Sequence, residues 1–161
     1  MRLPPGLSLP VAKGFAAVLL ALVMFFEGVR LTAYQDTGGV WTICYGHTAG
    51  VRRGDTASMA QCVAWLWQDL QHAIGVVDRL LKVDVGMLCR AAHVDFVFNV
   101  GAGNYSRSTL LRRFNAGDPL ARDEFRRWVY VGGRDCRLAA SNCAGILTRR
   151  ETARELCEAT P

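Results

Sequence analysis

Thirteen residues without a charge, GFAAVLLALVMFF (14–26), close on Glu27, and that junction constrains the chain more than any other feature. An apolar run of this kind forms a helix that must bury itself in a core or in lipid. At about 1.5 Å per residue it reaches roughly 20 Å, short of a hydrocarbon core of about 30 Å. Begun at Val11, with Lys13 snorkelling, it is still a marginal span. Arg2 and Lys13 are its only preceding charges, and no small-residue cleavage site follows, unlike an ordinary secretory signal. Two readings stand: a weak, uncleaved export anchor, or a buried helix with Pro10 at or near its first turn. Gly14, Ala16, Ala17 and Ala21 dilute the hydrophobicity, which makes a membrane-inserted state easy to leave.

The remaining chain reads as α+β, mostly α. With 161 residues, half of them hydrophobic, it suits one domain or one domain with two lobes, and global disorder is excluded. The first helix covers 11–27 and ends at Gly28. Val40, Trp41, Thr42, Ile43 and Tyr45 favour strands, punctuated by Thr37-Gly38-Gly39 and Gly46, so residues 30–50 predict an antiparallel sheet of two or three strands. Ser58 and Gln61 form a capping box. The 3.6-residue recurrence of Met59, Val63, Leu66, Leu70, Ile74, Val77 and Leu81 then predicts a helix of more than twenty residues. Residues 88–103 read as an almost wholly apolar central helix stopped by Gly101 and Gly103. A short helix over 106–117 follows. Asp118-Pro119 then caps a segment, 121–131, expected to stay helical to Gly132-Gly133. Thr148 and Glu151 read as a second capping box opening the last helix. The total is six or seven helices and one small sheet.

The net charge of +5, on a chain with seventeen Arg and two Lys, favours polyanionic surroundings (nucleic acid, anionic lipid or a bacterial envelope) or reflects no more than an Arg-rich codon usage. Six cysteines without a CxxC pair allow three disulfides, which an oxidising compartment would favour, or six buried free thiols, and sequence alone leaves fifteen pairings open. Cys136 and Cys143 bracket a polar loop that a disulfide can close. The histidines show no ligand spacing relative to the cysteines, so neither a metal nor a cofactor is expected.

Glu27 and Asp36 suggest paired carboxylates. At the end of an apolar helix, Glu27 is expected to be half-buried, and lost solvation together with the helix's negative end favours its protonated form, as a general acid needs. Asp36, in an open turn, is expected to stay ionised. Thr42, on a following strand, can aim its hydroxyl into the same cleft and help Asp36 hold a water. Alternation then puts Trp41 and Ile43 on the opposite face. Two carboxyls pushed apart in this way divide acid and base work, as in glycoside hydrolysis. On the residues alone this constellation is weak, and Glu27 as a helix end reaching water and Asp36 as an ordinary turn residue are the simpler reading.

FFEGVRLTAYQDTGGVWTICYGHT resembles the catalytic segment of phage-type lysozymes, the endolysins that cut bacterial cell walls. FVFNVGAGNYSRSTLLRRFNAGD, EFRRWVYVGG and GILTRRETARELC continue the likeness in order, across residues 14–157. The resemblance implies a two-lobe fold: a small β lobe over about 28–57, a connecting helix over about 58–82 and a helical lobe over about 83–161. It implies an inverting muramidase that cuts the β-1,4 bond between N-acetylmuramic acid and N-acetylglucosamine. Carried over by residue, Glu27 is the general acid, Asp36 the general base and Thr42 the water-binding hydroxyl. Asn99 matches a position near the saccharide cleft. Arg149 matches an arginine that pairs with the catalytic glutamate. His47 reads as structural, paired with an acid of the long helix, and Trp65, Trp67 and Trp128 as core.

The sequence departs from the family at Cys44, which stands where the motif has glycine. Beside the resemblance, Cys44 is expected to pair with Cys62, Cys89 with Cys157, and Cys136 with Cys143. The uncharged first helix resembles signal-anchor-release endolysins. These wait tethered to the inner membrane on the periplasmic side and fold when released. The competing expectation is a cytoplasmic endolysin that depends on a holin. Expected partners are peptidoglycan and, transiently through residues 11–26, the inner membrane, with no nucleic acid and a monomeric state. Two other functions fit the same residues: a lytic transglycosylase, or a cationic envelope-disrupting protein without catalysis.

Overall fold

The computed structural model describes residues 14–36 and 38–159. Phe15–Glu27 form helix α1, and Gly28, at φ 65° and ψ 169°, takes an extended positive-φ conformation that suits glycine and ends it. The expected start near Val11 lies outside the described residues. Leu19, Leu20 and Val23 are buried on one side of α1, while Ala17, Ala21 and Phe25 form an exposed row at i, i+4 spacing. Both sides of this helix are therefore apolar.

Strands β1 (Arg30–Gln35) and β2 (Trp41–Cys44) pair antiparallel. Between the Arg30–Cys44 and Tyr34–Thr42 pairs, β1 advances four residues and β2 two, so β1 carries two extra residues that bend it away from a straight ladder. Burial along β2 does not alternate as expected. Trp41 is half-buried, and Thr42, Ile43 and Cys44 are all buried, because both faces of this strand are covered.

Helix α2 spans Met59–Leu80. Its capping box forms as the sequence predicts: Ser58 N–H donates to Gln61 Oε1 at 2.9 Å, and Gln61 N–H to Ser58 Oγ at 3.3 Å. Its inner stripe, Cys62, Val63, Leu66, Leu70, Ala73, Val76 and Val77, is buried. The described chain divides into two compact units, the first ending at His72 and the second beginning at Ala73, so the boundary falls within α2.

In the second unit, α3 (Gly86–Val100) buries Cys89 and every residue from Ala91 to Val97, and it packs against the last helix, α6 (Gly145–Glu158). Gly101, at φ 85°, breaks the chain after α3. Gly103 is no second stop but lies inside the next helix, α4 (Ala102–Ser106). Helix α5 (Thr109–Asn115) starts on Ser108, whose Oγ accepts the Leu111 N–H at 3.0 Å.

Two expectations fail in this region. Residues 121–131 are not one helix. A 3-10 helix covers Ala121–Arg127, and β3 (Tyr130–Val131) and β4 (Arg134–Asp135) then form a hairpin with Gly132-Gly133 at its turn. Both glycines have positive φ, which suits a hairpin turn and not a helix end. Thr148 also does not cap α6, which begins three residues earlier. Glu151 holds Arg126 and Arg154 instead of reaching back to a cap. Trp65, Trp67 and Trp128 are half-buried instead of central.

All six cysteines are bridged as Cys44–Cys62, Cys89–Cys157 and Cys136–Cys143. The second ties α3 to α6, and the third closes the loop that follows the β3–β4 hairpin. Cys44 sits at φ 60°, a conformation in which a glycine is relaxed and a side chain is strained by about 1–2 kcal/mol. The tight turn from Ile43 to His47, whose backbones exchange two hydrogen bonds at 2.9 Å, demands it.

Next to the Cys89–Cys157 bridge lies His93, fully buried among Phe114, Phe125 and Tyr105. Its Nδ1 is 3.0 Å from the Tyr105 hydroxyl, and burial pushes its pKa down to about 3. An unfolded histidine titrates near 6.5, so the stabilisation from holding it neutral is fully present above that pH and is lost as pH falls below it. From pH 7 to pH 5 the loss attributable to this side chain is about 2 kcal/mol. Urea unfolding at both pH values checks this: the drop in stability should be smaller, by about that amount, in His93→Gln, which cannot gain the proton.

Candidate active site

Asp36 follows β1 directly, and its carboxylate is built into the hairpin. Oδ1 accepts the Gly38 N–H at 2.8 Å and the Val40 N–H at 2.9 Å, while the Asp36 N–H donates to Val40 O at 3.0 Å. The side chain is exposed, as the sequence predicts for an open turn, and among the described residues no bond engages Oδ2. Thr42 converges on the same residue, its hydroxyl donating to Val40 O at 3.0 Å. It is only 4 % exposed. With its proton committed to Val40, the Thr42 oxygen can act toward a further group only as an acceptor.

Glu27 is the last residue of α1. It is exposed, not half-buried as the apolar run led one to expect, because Gly28 turns the chain out at the point where the hydrophobic stripe stops. His47 lies in the tight turn after β2. Its Nδ1 is 2.9 Å from Asp69 Oδ2 on α2, and its ring stacks on Trp65 at 5.0 Å. This fixes the turn against the long helix.

In the second unit, Arg149 on α6 is 4 % exposed and forks onto Asp95 of α3, which is 1 % exposed. Nε donates to Oδ2 at 3.0 Å and Nη2 to Oδ1 at 2.7 Å. The next residue, Arg150, donates to Asn99 Oδ1 through Nη2 and to Trp128 O through Nε at 2.9 Å.

Residues 24–153 match the family described as phage lysozyme. The chain belongs to the phage lysozyme family. It is 40% identical over 167 residues to a SAR-endolysin of Enterobacteria phage PA-2, covering 96% of this chain and 97% of that protein. A SAR-endolysin of Enterobacteria phage P21 is 39% identical over the same shares. Among solved structures, the muramidase domain of SpmX from Asticaccaulis excentricus superposes with a TM-score of 0.81 at 29% identity, over 91% of this chain and 98% of that one. A variant of P22 lysozyme superposes with a TM-score of 0.78 at 28% identity, over 91% and 99%. This lysozyme is a glycosidase, and its mostly helical fold with small antiparallel sheets is that of its structural neighbours.

Two residues of this lysozyme's second unit escaped the sequence reading. Asp95 is the single acid in the apolar stretch LCRAAHVDFVFNV, and an acid buried there requires a cation. That signal was present and points to an arginine on a facing helix. Arg150 carried no such signal, since two adjacent arginines near a helix start read as a solvated face. Removing one member of a buried pair leaves the other charged and alone. Arg149→Leu should therefore destabilise the fold by about 3–5 kcal/mol, read as a lowered urea midpoint. The double variant Arg149→Leu/Asp95→Leu should recover most of that loss.

Proposed function

We propose that this lysozyme hydrolyses the β-1,4 bond between N-acetylmuramic acid and N-acetylglucosamine in bacterial peptidoglycan. Glu27 gives a proton to the leaving sugar oxygen, and Asp36 takes one from the attacking water, with inversion at the anomeric carbon. The observation that carries this reading is the shared hold of Asp36 and Thr42 on Val40. Asp36 keeps one carboxylate oxygen on backbone N–H groups, and Thr42 has spent its proton. A water between them donates one hydrogen to each, and its lone pair is left to face the sugar. A water held as a donor on both sides is a nucleophile oriented before the substrate arrives. In this reading Asn99 contacts substrate, and Arg149, paired to Asp95, is a supporting residue.

The same proposal extends to location. No described helix is long and apolar enough to cross a membrane. Yet α1 is apolar on its buried side and on the exposed Ala17, Ala21, Phe25 row, so it suits either protein or lipid. We assign to residues 11–26 a transient tether in the inner membrane of the host, on the periplasmic side. While α1 is in lipid, Glu27 is withdrawn from the fold and the enzyme is inactive. Release seats the helix and begins host lysis.

Mass spectrometry of purified cell wall tests the chemistry. The wild type should yield reducing muropeptides carrying one added water, and Glu27→Gln should lose at least three orders of magnitude of activity, consistent with the role of a general acid and the helix end it occupies. Anhydro products would assign a transglycosylase instead. For location, the expected outcome is lysis of cells that express the chain alone once their membrane is depolarised. Intact cells under that treatment favour the holin-dependent route.

A further inference from the structure

Arg150 is a cation 4 % exposed without a carboxylate of its own among the described residues. Its neighbour Arg149 holds Asp95 with two bonds, and Arg150 lies beside both. Burial, reinforced by the adjacent Arg149 charge, pushes its pKa down to about 10. Its Nη1 is buried with no hydrogen-bond partner. A buried, under-satisfied cation costs stability, and an apolar side chain of similar size would cost less. Its guanidinium lies 5.0 Å above the Phe96 ring, Nε binds Trp128 O, and Nη2 binds Asn99 Oδ1.

A guanidinium has donors and no acceptor. The atom Asn99 turns toward Arg150 is therefore its oxygen, and its Nδ2 faces the other way. Asn99 lies in the last turn of α3, half-buried, and among the described residues no partner takes its N–H groups. Without Arg150 the amide is free to rotate by half a turn and offer an oxygen in place of a donor.

We propose that Arg150 is a positioning residue: it locks the Asn99 amide so that Asn99 presents N–H donors, and not an acceptor, to a carbonyl oxygen of the substrate. This rests on the reading of Asn99 as a substrate contact. The carbonyl belongs either to an acetamido group of the glycan or to its stem peptide. Two substrates separate these sources: soluble glycan strands with their peptides, and the same strands stripped of peptide by an amidase.

The test is a double-mutant cycle on the full chain, with initial rates giving KM and kcat on both substrates. Arg150→Met keeps the volume over Phe96 and removes the donors. It should raise KM about five- to tenfold, the worth of one polar contact, with kcat changed less than about twofold. Asn99→Ala should raise KM similarly, and adding Arg150→Met to Asn99→Ala should raise it no further. Arg150→Lys, which retains one donor, should fall between wild type and Arg150→Met. A thermal midpoint for Arg150→Met at or above that of the wild type separates this role from a structural one. An equal rise in KM with and without Asn99, or no rise in either Arg150 variant, overturns the proposal. A rise on both substrates assigns the acetamido carbonyl, and a rise only on peptide-bearing strands assigns the peptide carbonyl. Glu27→Gln, assayed alongside, tests the wall-cleavage reading separately, since retained turnover there counts against that reading and not against the role of Arg150.

Discussion

The second unit is organised around one buried ion pair. Arg149 and Asp95 face each other from α6 and α3, both almost wholly out of water, and two parallel N–H···O bonds set the angle and depth of the contact. A charged pair in that position tolerates little sliding, because misalignment leaves a buried charge facing an apolar neighbour. The Cys89–Cys157 bridge fastens the same two helices elsewhere along their length, so register is held at two points. The position of every other α6 side chain follows, including Arg150 and its hold on Asn99 and on the backbone at Trp128.

In the first unit a backbone residue plays the corresponding part. Val40 donates its N–H to the Asp36 carboxylate, and its carbonyl accepts the Asp36 N–H and the Thr42 hydroxyl. The two side chains are thus referenced to one backbone residue, through the two peptide groups that flank its Cα. The two extra residues of β1 provide the bend between Arg30 and Tyr34, within the stretch that separates Glu27 from Asp36.

The sequence was legible where a local rule had no competitor. Gly28 ends α1, Ser58 and Gln61 cap α2, and Val63, Leu66, Leu70 and Val77 of the expected stripe are buried, while Met59, Ile74 and Leu81 are half-buried. It misled where one motif had two uses. Gly132-Gly133 serves as a helix stop or a hairpin turn, and the choice was made by Cys136, whose N–H pairs with Val129 O and draws the chain back. Thr148 and Glu151 have capping-box spacing, but Arg126 and Arg154 outbid the helix end for the carboxylate. Burial was the least legible property. Glu27 is exposed where half-burial was expected, and Thr42, Ile43 and Cys44 are all buried where alternation was expected, because burial depends on what covers an element and not on its own pattern. Asp95 shows the opposite case: a lone acid in an apolar helix announces a partner, and only its identity required the structure.

Cys44 links backbone conformation to covalent chemistry in a way that narrows its evolutionary freedom. The bend after β2 is comfortable for glycine and uncomfortable for any residue with a side chain, and only the bridge to Cys62 compensates the discomfort. Substitution by alanine or serine would forfeit the crosslink while keeping the strain. The position therefore suits glycine, or a cysteine whose bridge offsets the strain, and a bridge there ties the stability of the bend to surroundings in which thiols are oxidised.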